Sequence, residues 1–385
     1  MTEYHSIHSL LDLCKEQEKQ VWEVVQQADM EESGATEKQV FEKMRFMYKA
    51  MQQADKDYEA DLKSQSGMVG GDGEKMRQFN ASGKNLCSEY SGLAMEKALK
   101  MGESNACMKR IVAAPTAGSC GVIPAVLLSY EESKNTEEDE LVKALFVASG
   151  IGKVVAENAS IAGAFGGCQA EIGTASAMAA GALAYLQGAD NEQIMQAATF
   201  ALKNMLGLAC DPVGGLVEVP CVKRNVAGVV NAISSAQLAL AGITSVITPD
   251  DTIDSMRRIG NDLPSCLKET SKGGLAVTES ARKIMERFKA PQIYKVNDLF
   301  FLYKLRIFQN VFQSNAVEKV VYHRTKLFPH RQGTALTCSW TGIRIFHQAG
   351  NRSKTSFGYF KNLANAVLGR STGELVAAAF TSKTF

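Results

Sequence analysis

The chain has 385 residues, of which 45% are hydrophobic and 22% charged, with 42 Lys and Arg, 41 Asp and Glu, nine cysteines and five histidines. That length can bury a sizeable core or hold two domains. The histidines are His5, His8, His323, His330 and His347, so residues 9 to 322 offer no imidazole, which excludes a histidine-based triad, a His-rich zinc site or a metalloprotease helix from the core.

Net charge is near zero only because two unlike parts cancel. Residues 1 to 285 carry 27 Lys and Arg against 37 Asp and Glu, whereas 286 to 385 carry 15 against 4. An acidic body argues against a nucleic-acid partner. The polar start Met-Thr-Glu-Tyr-His-Ser does not read as a secretory leader. The most apolar stretch, Ala175 to Leu186, is too short to span a bilayer. Unpaired thiols without a secretory address imply a cytoplasmic, reducing setting.

From Ser6 to about Ser64, apolar residues recur at helical spacing (Ile7, Leu10, Leu11 and Cys14, then Val21, Val24 and Val25), which predicts two or three amphipathic helices broken at Asp29 to Thr36. Ser-Gln-Ser66-Gly-Met-Val-Gly-Gly-Asp72-Gly follows as a turn-rich loop, either a linker or a substrate loop with exposed amides. Ala114-Pro115-Thr116-Ala-Gly118-Ser119-Cys120-Gly121 leads into the apolar run Val122 to Leu128 and reads as a loop feeding a helix. Small hydroxyls and free amides there suit a carboxylate; Thr116 or Ser119 serves equally as an N-cap. Helical patterns then cover Leu141 to Ala156, Ala175 to Leu186, Asn191 to Leu208 and Val226 to Ala241, and Thr248 reads as the N-cap of a further helix over Ile253 to Gly260. Alternating strand patterns are scarce, so the predicted body is all-α.

Three cysteines sit in the Gly/Pro-punctuated stretches between these helices. Cys168 follows Gly163, Gly166 and Gly167, and Cys210 and Cys221 bracket Asp-Pro-Val-Gly-Gly-Leu-Val-Glu-Val-Pro. Pro212, Gly214, Gly215 and Pro220 forbid a continuous helix there, so the segment must loop, and three thiolates on bent backbone point to an iron-sulfur cluster. The alternative is buried cysteine acting as a small hydrophobe, the default reading for Cys14, Cys87, Cys107 and Cys120. Structural zinc favours close C-x₂-C pairs, which the chain lacks.

Beyond about Met285 the character changes. Residues 319 to 373 contain nine Lys or Arg and no Asp or Glu. This stretch reads as an unassigned basic extension, disordered or accidental, with a nucleic-acid-binding module as the competing reading.

Three segments together carry a resemblance: Arg110-Ile-Val-Ala-Ala-Pro115-Thr-Ala-Gly-Ser-Cys-Gly121, Glu157-Asn158-Ala-Ser160-Ile-Ala-Gly-Ala-Phe-Gly-Gly-Cys168-Gln-Ala-Glu171, and Cys210 through Cys221. Residues 1 to 285 resemble the α chain of the iron-sulfur-dependent L-serine dehydratases. The resemblance implies an all-helical catalytic domain with a [4Fe-4S] cluster on Cys168, Cys210 and Cys221, L-serine as substrate, pyruvate and ammonia as products, and a separate β chain as partner in a heterodimer. Ser66 to Asp72 is similar to the family's Ser-Gly-Gly-Asp loop. Substrate contacts are expected from Thr116, Gly118, Ser119, Gly121, Asn158, Ser160 and Ser66. Single-chain members place a terminal cysteine after a segment similar to Thr270-Ser-Lys-Gly-Gly-Leu-Ala276; here Val-Thr-Glu-Ser-Ala follows, so the fourth iron position is expected to be open. The base is sought among Glu171, Asp211, Glu218, Lys223 and the partner chain, the partner being favoured, with Glu171 and Asp211 the catalytic candidates of this chain. The competing functions are a lyase acting on cysteine or another β-substituted amino acid, and a non-catalytic scaffold. A pyridoxal-phosphate enzyme lacks its lysine and phosphate cup here.

Overall fold

A computed structural model describes residues 2–289. The readings made for residues 290–385, including the basic extension and Cys338, lie outside the described residues. Among the described residues are thirteen α-helices, short 3₁₀ and π turns and no strand; one isolated parallel bridge joins Cys210 to Lys268.

The amino-terminal region holds three helices, α1 (Ile7–Glu16), α2 (Val21–Ser33) and α3 (Glu37–Lys56). Their boundaries follow local chemistry. Ser6 and Thr36 cap α1 and α3, each paired reciprocally with the residue three positions on, Ser9 and Gln39. Gly34 closes α2 in the left-handed region at φ 66°. A further break at Gln17–Gln20 divides what the spacing alone joined, and the break expected from Asp29 narrows to residues 34–36.

Two helices that the sequence reading passed over come next, α4 (Asp72–Ala81) and α5 (Glu89–Ala106). They are followed by α6 (Val122–Lys134), α7 (Glu138–Asn158), the single turn α8 (Gly163–Gly166), α9 (Thr174–Leu186), α10 (Asn191–Asn204), α11 (Cys221–Leu240), α12 (Pro249–Asp262) and α13 (Glu279–Lys289). The last of these crosses the boundary expected at residue 285. Thr248 caps α12, with Pro249 at its first position.

The centre of the body is α9, which packs against α6, α7, α10 and α11. Every residue from Thr174 to Ala184 is buried, and most are alanine. Small side chains let the neighbouring helices close in: a Cβ on Gly181 would lie 2.3 Å from Ile151 Cδ1. A helix apolar on all faces belongs inside such a bundle, not across its surface. No described helix is long and apolar enough to cross a membrane.

A buried carboxylate ties α5 to the loop before α4. Glu103, 1% exposed, accepts the backbone N–H groups of Asp72 (2.8 Å) and Gly73 (3.2 Å) and the Tyr58 hydroxyl (2.7 Å). It satisfies the donors at the start of α4 and complements that helix's positive end. Replacing Glu103 by Gln puts an amide N–H₂ against donors, and the expected cost is about 2 kcal/mol. The check is a lower denaturant midpoint at unchanged m-value; an unaltered midpoint refutes the capping role.

Candidate functional site

The site forms where three loops meet at the end of the bundle. The first carries Cys168. Gly167 at φ 74° turns the chain, and a side chain there would meet Leu263 Cδ1 at 2.7 Å and Leu208 O at 2.8 Å, so glycine is required. Next, Gln169–Gly173 forms a π turn running into α9. This wider turn, held by buried Gln169 through Met256 O (3.0 Å) and Gly207 N (2.8 Å), resets the register so that Glu171 is presented beside Cys168.

The second loop carries Cys210. Its N–H donates to Leu267 O and its carbonyl accepts from Glu269 N, both at 2.8 Å, which makes the isolated bridge. Segment 265–269 is thereby strapped along Cys210, with Glu269 itself at φ 60°. The third loop ends at Cys221, the first residue of α11.

Cys168, Glu171 and Cys210 converge, with one ligand atom from each lying within 4.8 Å of the others, a grouping able to hold a metal ion. Cys221 is buried next to this trio, near enough for its thiol to be pushed up by burial and by the charges of Cys168 and Glu171. The Cys168 and Cys210 sulfurs lie within 4.8 Å of one another, so the charge of one thiolate opposes ionisation of the other. Hydrogen bonding from Cys210, aided by the Arg224 guanidinium against the cost of burial, lowers the Cys168 thiol to about 7; the same bond and burial push Cys210 up. Burial, the Cys168 charge and the Glu269 charge push the Glu171 carboxyl up to about 8. It is enclosed on almost every side while keeping a little accessible surface.

Glycine keeps the donor atoms uncovered. A Cβ on Gly163 would lie 2.8 Å from Glu171 Oε2 and 2.9 Å from Cys210 Sγ, and one on Gly118 would lie 3.2 Å from Glu171 Oε1. Buried thiols with a stabilised thiolate, and backbone cleared of side chains beside them, fit a thiophilic metal centre.

The 116–121 loop faces the same carboxylate. Thr116 Oγ1 donates to Glu171 Oε1 at 2.8 Å and lies 3.1 Å from Ser119 Oγ. Buried Asn225 of α11 fixes this loop by donating to Gly118 O (2.9 Å) and accepting from Gly121 N (2.8 Å). The Gly121 amide is therefore already engaged, whereas the Thr116 hydroxyl stands at the site.

The other expected residues are placed elsewhere or already partnered. Ser64 donates to Glu218 Oε2 at 2.8 Å, and Ser66 donates to the same oxygen. Lys223 pairs with Asp72 at 2.8 Å. These contacts bind the 64–72 segment to the Cys210–Cys221 loop through Glu218 and to the start of α11 through Lys223. Asp211 accepts from Arg224 Nη2 (2.9 Å) and Leu275 N (2.8 Å). Asn158 donates to His5 O (2.6 Å) and Val154 O (2.9 Å). Ser160 accepts from Ala162 N (3.1 Å) and lines a cleft of about 310 Å³ with Phe165, Gly166, Ala170, Met256 and Arg257. Cys14 and Cys120 are buried, Cys107 is half-buried and Cys87 is exposed.

The sequence reading missed Glu269, Arg224 and Asn225, three polar groups that surround the sulfurs or fix their loops. Glu269 reaches the site only through the bridge to Cys210, which leaves no local signal. Arg224 and Asn225 follow Cys221 by three and four residues, so helical spacing on one face was the available clue.

A helical body with a buried thiol and carboxylate grouping is compatible with a metal-binding helical protein. Sequence comparison makes the assignment specific. The profile described as serine dehydratase alpha chain matches residues 16–276, and the chain belongs to this family. It is 43% identical over 284 residues to the probable L-serine dehydratase, alpha chain, of Bacillus subtilis (strain 168), covering 74% of this chain and 95% of that protein. It is 37% identical over 285 residues to the L-serine dehydratase, alpha chain, of Peptoniphilus asaccharolyticus, covering 74% and 98%. L-serine dehydratase 2 of Escherichia coli (strain K12) is 44% identical over 182 residues, covering 47% and 40%.

The raised Glu171 carboxyl has a consequence for stability. Its folded pKa of about 8 lies above the ordinary value of 4.5, so the native state binds the extra proton and stability falls as pH rises between those values. In metal-free protein, Glu171→Gln is expected to flatten the decline in unfolding free energy between about pH 5 and pH 8. Denaturant titrations across that range provide the check, and an unchanged slope refutes the assignment.

Proposed function

We propose that this chain is the catalytic α chain of an L-serine dehydratase, converting L-serine to pyruvate and ammonia with a [4Fe-4S] cluster on Cys168, Cys210 and Cys221 and a separate β chain as partner. The observation that carries the reading is the convergence of Cys168, Cys210 and Glu171 in a chain matching α-chain relatives over nearly their whole length.

The reaction removes the α-proton and the β-hydroxyl of serine as water; the resulting aminoacrylate tautomerises to an imine, which water hydrolyses to pyruvate and ammonia. Hydroxide leaves poorly. When bound, the cluster supplies a Lewis-acidic iron that eases its departure.

The protein's own groups would do the rest. Glu171, whose carboxyl is pushed up to about 8, is suited to exchange a proton near neutrality, since a catalytic group works best with a pKa close to the working pH. Thr116 Oγ1, 2.8 Å from Glu171 Oε1, fixes the direction of that carboxyl and offers a hydroxyl to the substrate. The neighbouring Ser119 hydroxyl and the backbone of Ala117 and Gly118 provide further polar contacts for the substrate carboxylate. Asn225, bonded on both sides of Cys120, prepays the ordering of this loop. In this reading Asp211, Glu218 and Lys223 hold the loops together, because each already has a charged or hydroxyl partner.

Two substitutions test the proposal on anaerobically prepared protein with the β chain present. Cys210→Ala should abolish iron and sulfide uptake together with serine-dependent pyruvate release; full iron content and full turnover would remove the cluster assignment. Glu171→Gln should keep iron, sulfide and visible absorbance while lowering kcat by roughly 10²- to 10⁴-fold. Turnover within twofold of the parent would transfer the proton to another group.

A further inference from the structure

Arg224 carries a half-buried guanidinium that the reaction scheme leaves unused. It lies three residues beyond Cys221 on α11, on the same helical face, and its side chain is 17% exposed. Nη1 donates to Ala209 O at 2.7 Å and Nη2 donates to Asp211 Oδ1 at 2.9 Å, and the guanidinium lies close enough to Cys168 to feel the charge of its thiolate. One planar fork thus serves a backbone carbonyl just before Cys210 and a carboxylate just after it.

The contacts continue outward. The second oxygen of Asp211 accepts the Leu275 N–H at 2.8 Å. Gly274 makes that approach feasible: it sits at φ 57°, and a Cβ there would lie 2.3 Å from Asp211 Oδ2. Asp211 is 7% exposed by its side chain, so without Arg224 it would be a nearly buried charge lacking its counter-ion, an arrangement proteins avoid.

We propose that Arg224 is a positioning residue for the sulfur centre: bonded to Ala209 and Asp211, it locks the Cys210 loop to α11, whose first residue is Cys221, and supplies the positive charge that offsets the thiolates. The cluster-tuning half of this inference rests on the functional reading given above; the clamp itself does not. Arginine fits because its fixed fork reaches acceptors on both sides of Cys210 at once, which the single ammonium of lysine does not reproduce. A positive charge beside a cluster ligand also favours the more reduced state, because reduction adds negative charge to the centre.

Arg224→Met and Arg224→Lys, prepared anaerobically with the β chain, decide the matter. Arg224→Met is expected to lose iron to a chelator about tenfold faster than the parent, and its cluster should be reduced at a more negative potential. Arg224→Lys should recover most of the potential and only part of the iron retention, a pattern that a purely structural role would not give. Retention and potential equal to the parent's in Arg224→Met overturn the proposal. A second measurement stands apart from the cluster. In metal-free protein, a double-mutant cycle of Arg224→Met with Asp211→Asn, followed by denaturant unfolding, should be non-additive by at least about threefold in the equilibrium constant; additivity overturns the clamp. If the parent takes up neither iron nor sulfide, the functional reading and the tuning role fall together, and the cycle alone then decides the clamp.

Discussion

The structure depends on bringing two thiols and a carboxylate together inside a helical core whose residues 9 to 289 offer no imidazole. Each of these groups is costly to bury when charged, and the architecture answers that cost locally. The Cys168 thiol is lowered while that of Cys210 is raised, the Arg224 guanidinium lies nearby, and burial pushes the Glu171 carboxyl up. The same arrangement that lowers the cost of burial also leaves the groups chemically poised, because a partly compensated charge in a dry site is one whose protonation is easily changed.

The surrounding fold can be read as the apparatus that makes this meeting possible. Alanine-rich α9 lets its neighbours pack closely, and that rigid bundle fixes the ends from which the three cysteine loops project. The loops are then tied by paired polar bonds at defined points: Asn225 to the 116–121 loop, Glu218 to Ser64 and Ser66, Glu103 to the start of α4, and Cys210 to the strap carrying Glu269. Most of these residues contact no donor atom of the trio. Their importance to the chemistry would come through position, since small displacements of reacting groups carry large costs in rate.

Glycine has two separable uses here. At Gly167 and Gly274 the backbone occupies the left-handed region, so the requirement is conformational as well as steric. At Gly163 and Gly118 the requirement is space beside Glu171 and Cys210. Only the first kind appears as a turn signal in a sequence; the second depends on what lies across the gap.

Much was legible in the order of residues. Apolar spacing marked the all-α body and most of its helices, because amphipathic periodicity is a local property. Capping residues such as Ser6, Thr36 and Thr248 marked helix starts for the same reason, and proline with glycine marked the loops around Cys168, Cys210 and Cys221 as bent. The helices α4 and α5 escaped notice because polar and small residues blur their apolar stripe. What only the tertiary structure decided is which side chains face one another. It placed Glu171 rather than Asp211 at the sulfurs, gave Asp211 to Arg224, gave Ser66 to Glu218, and brought Glu269 to Cys210 across 59 positions of chain. Sequence fixes the backbone's local preferences, but the neighbours of a buried charge are set by how distant loops close over it.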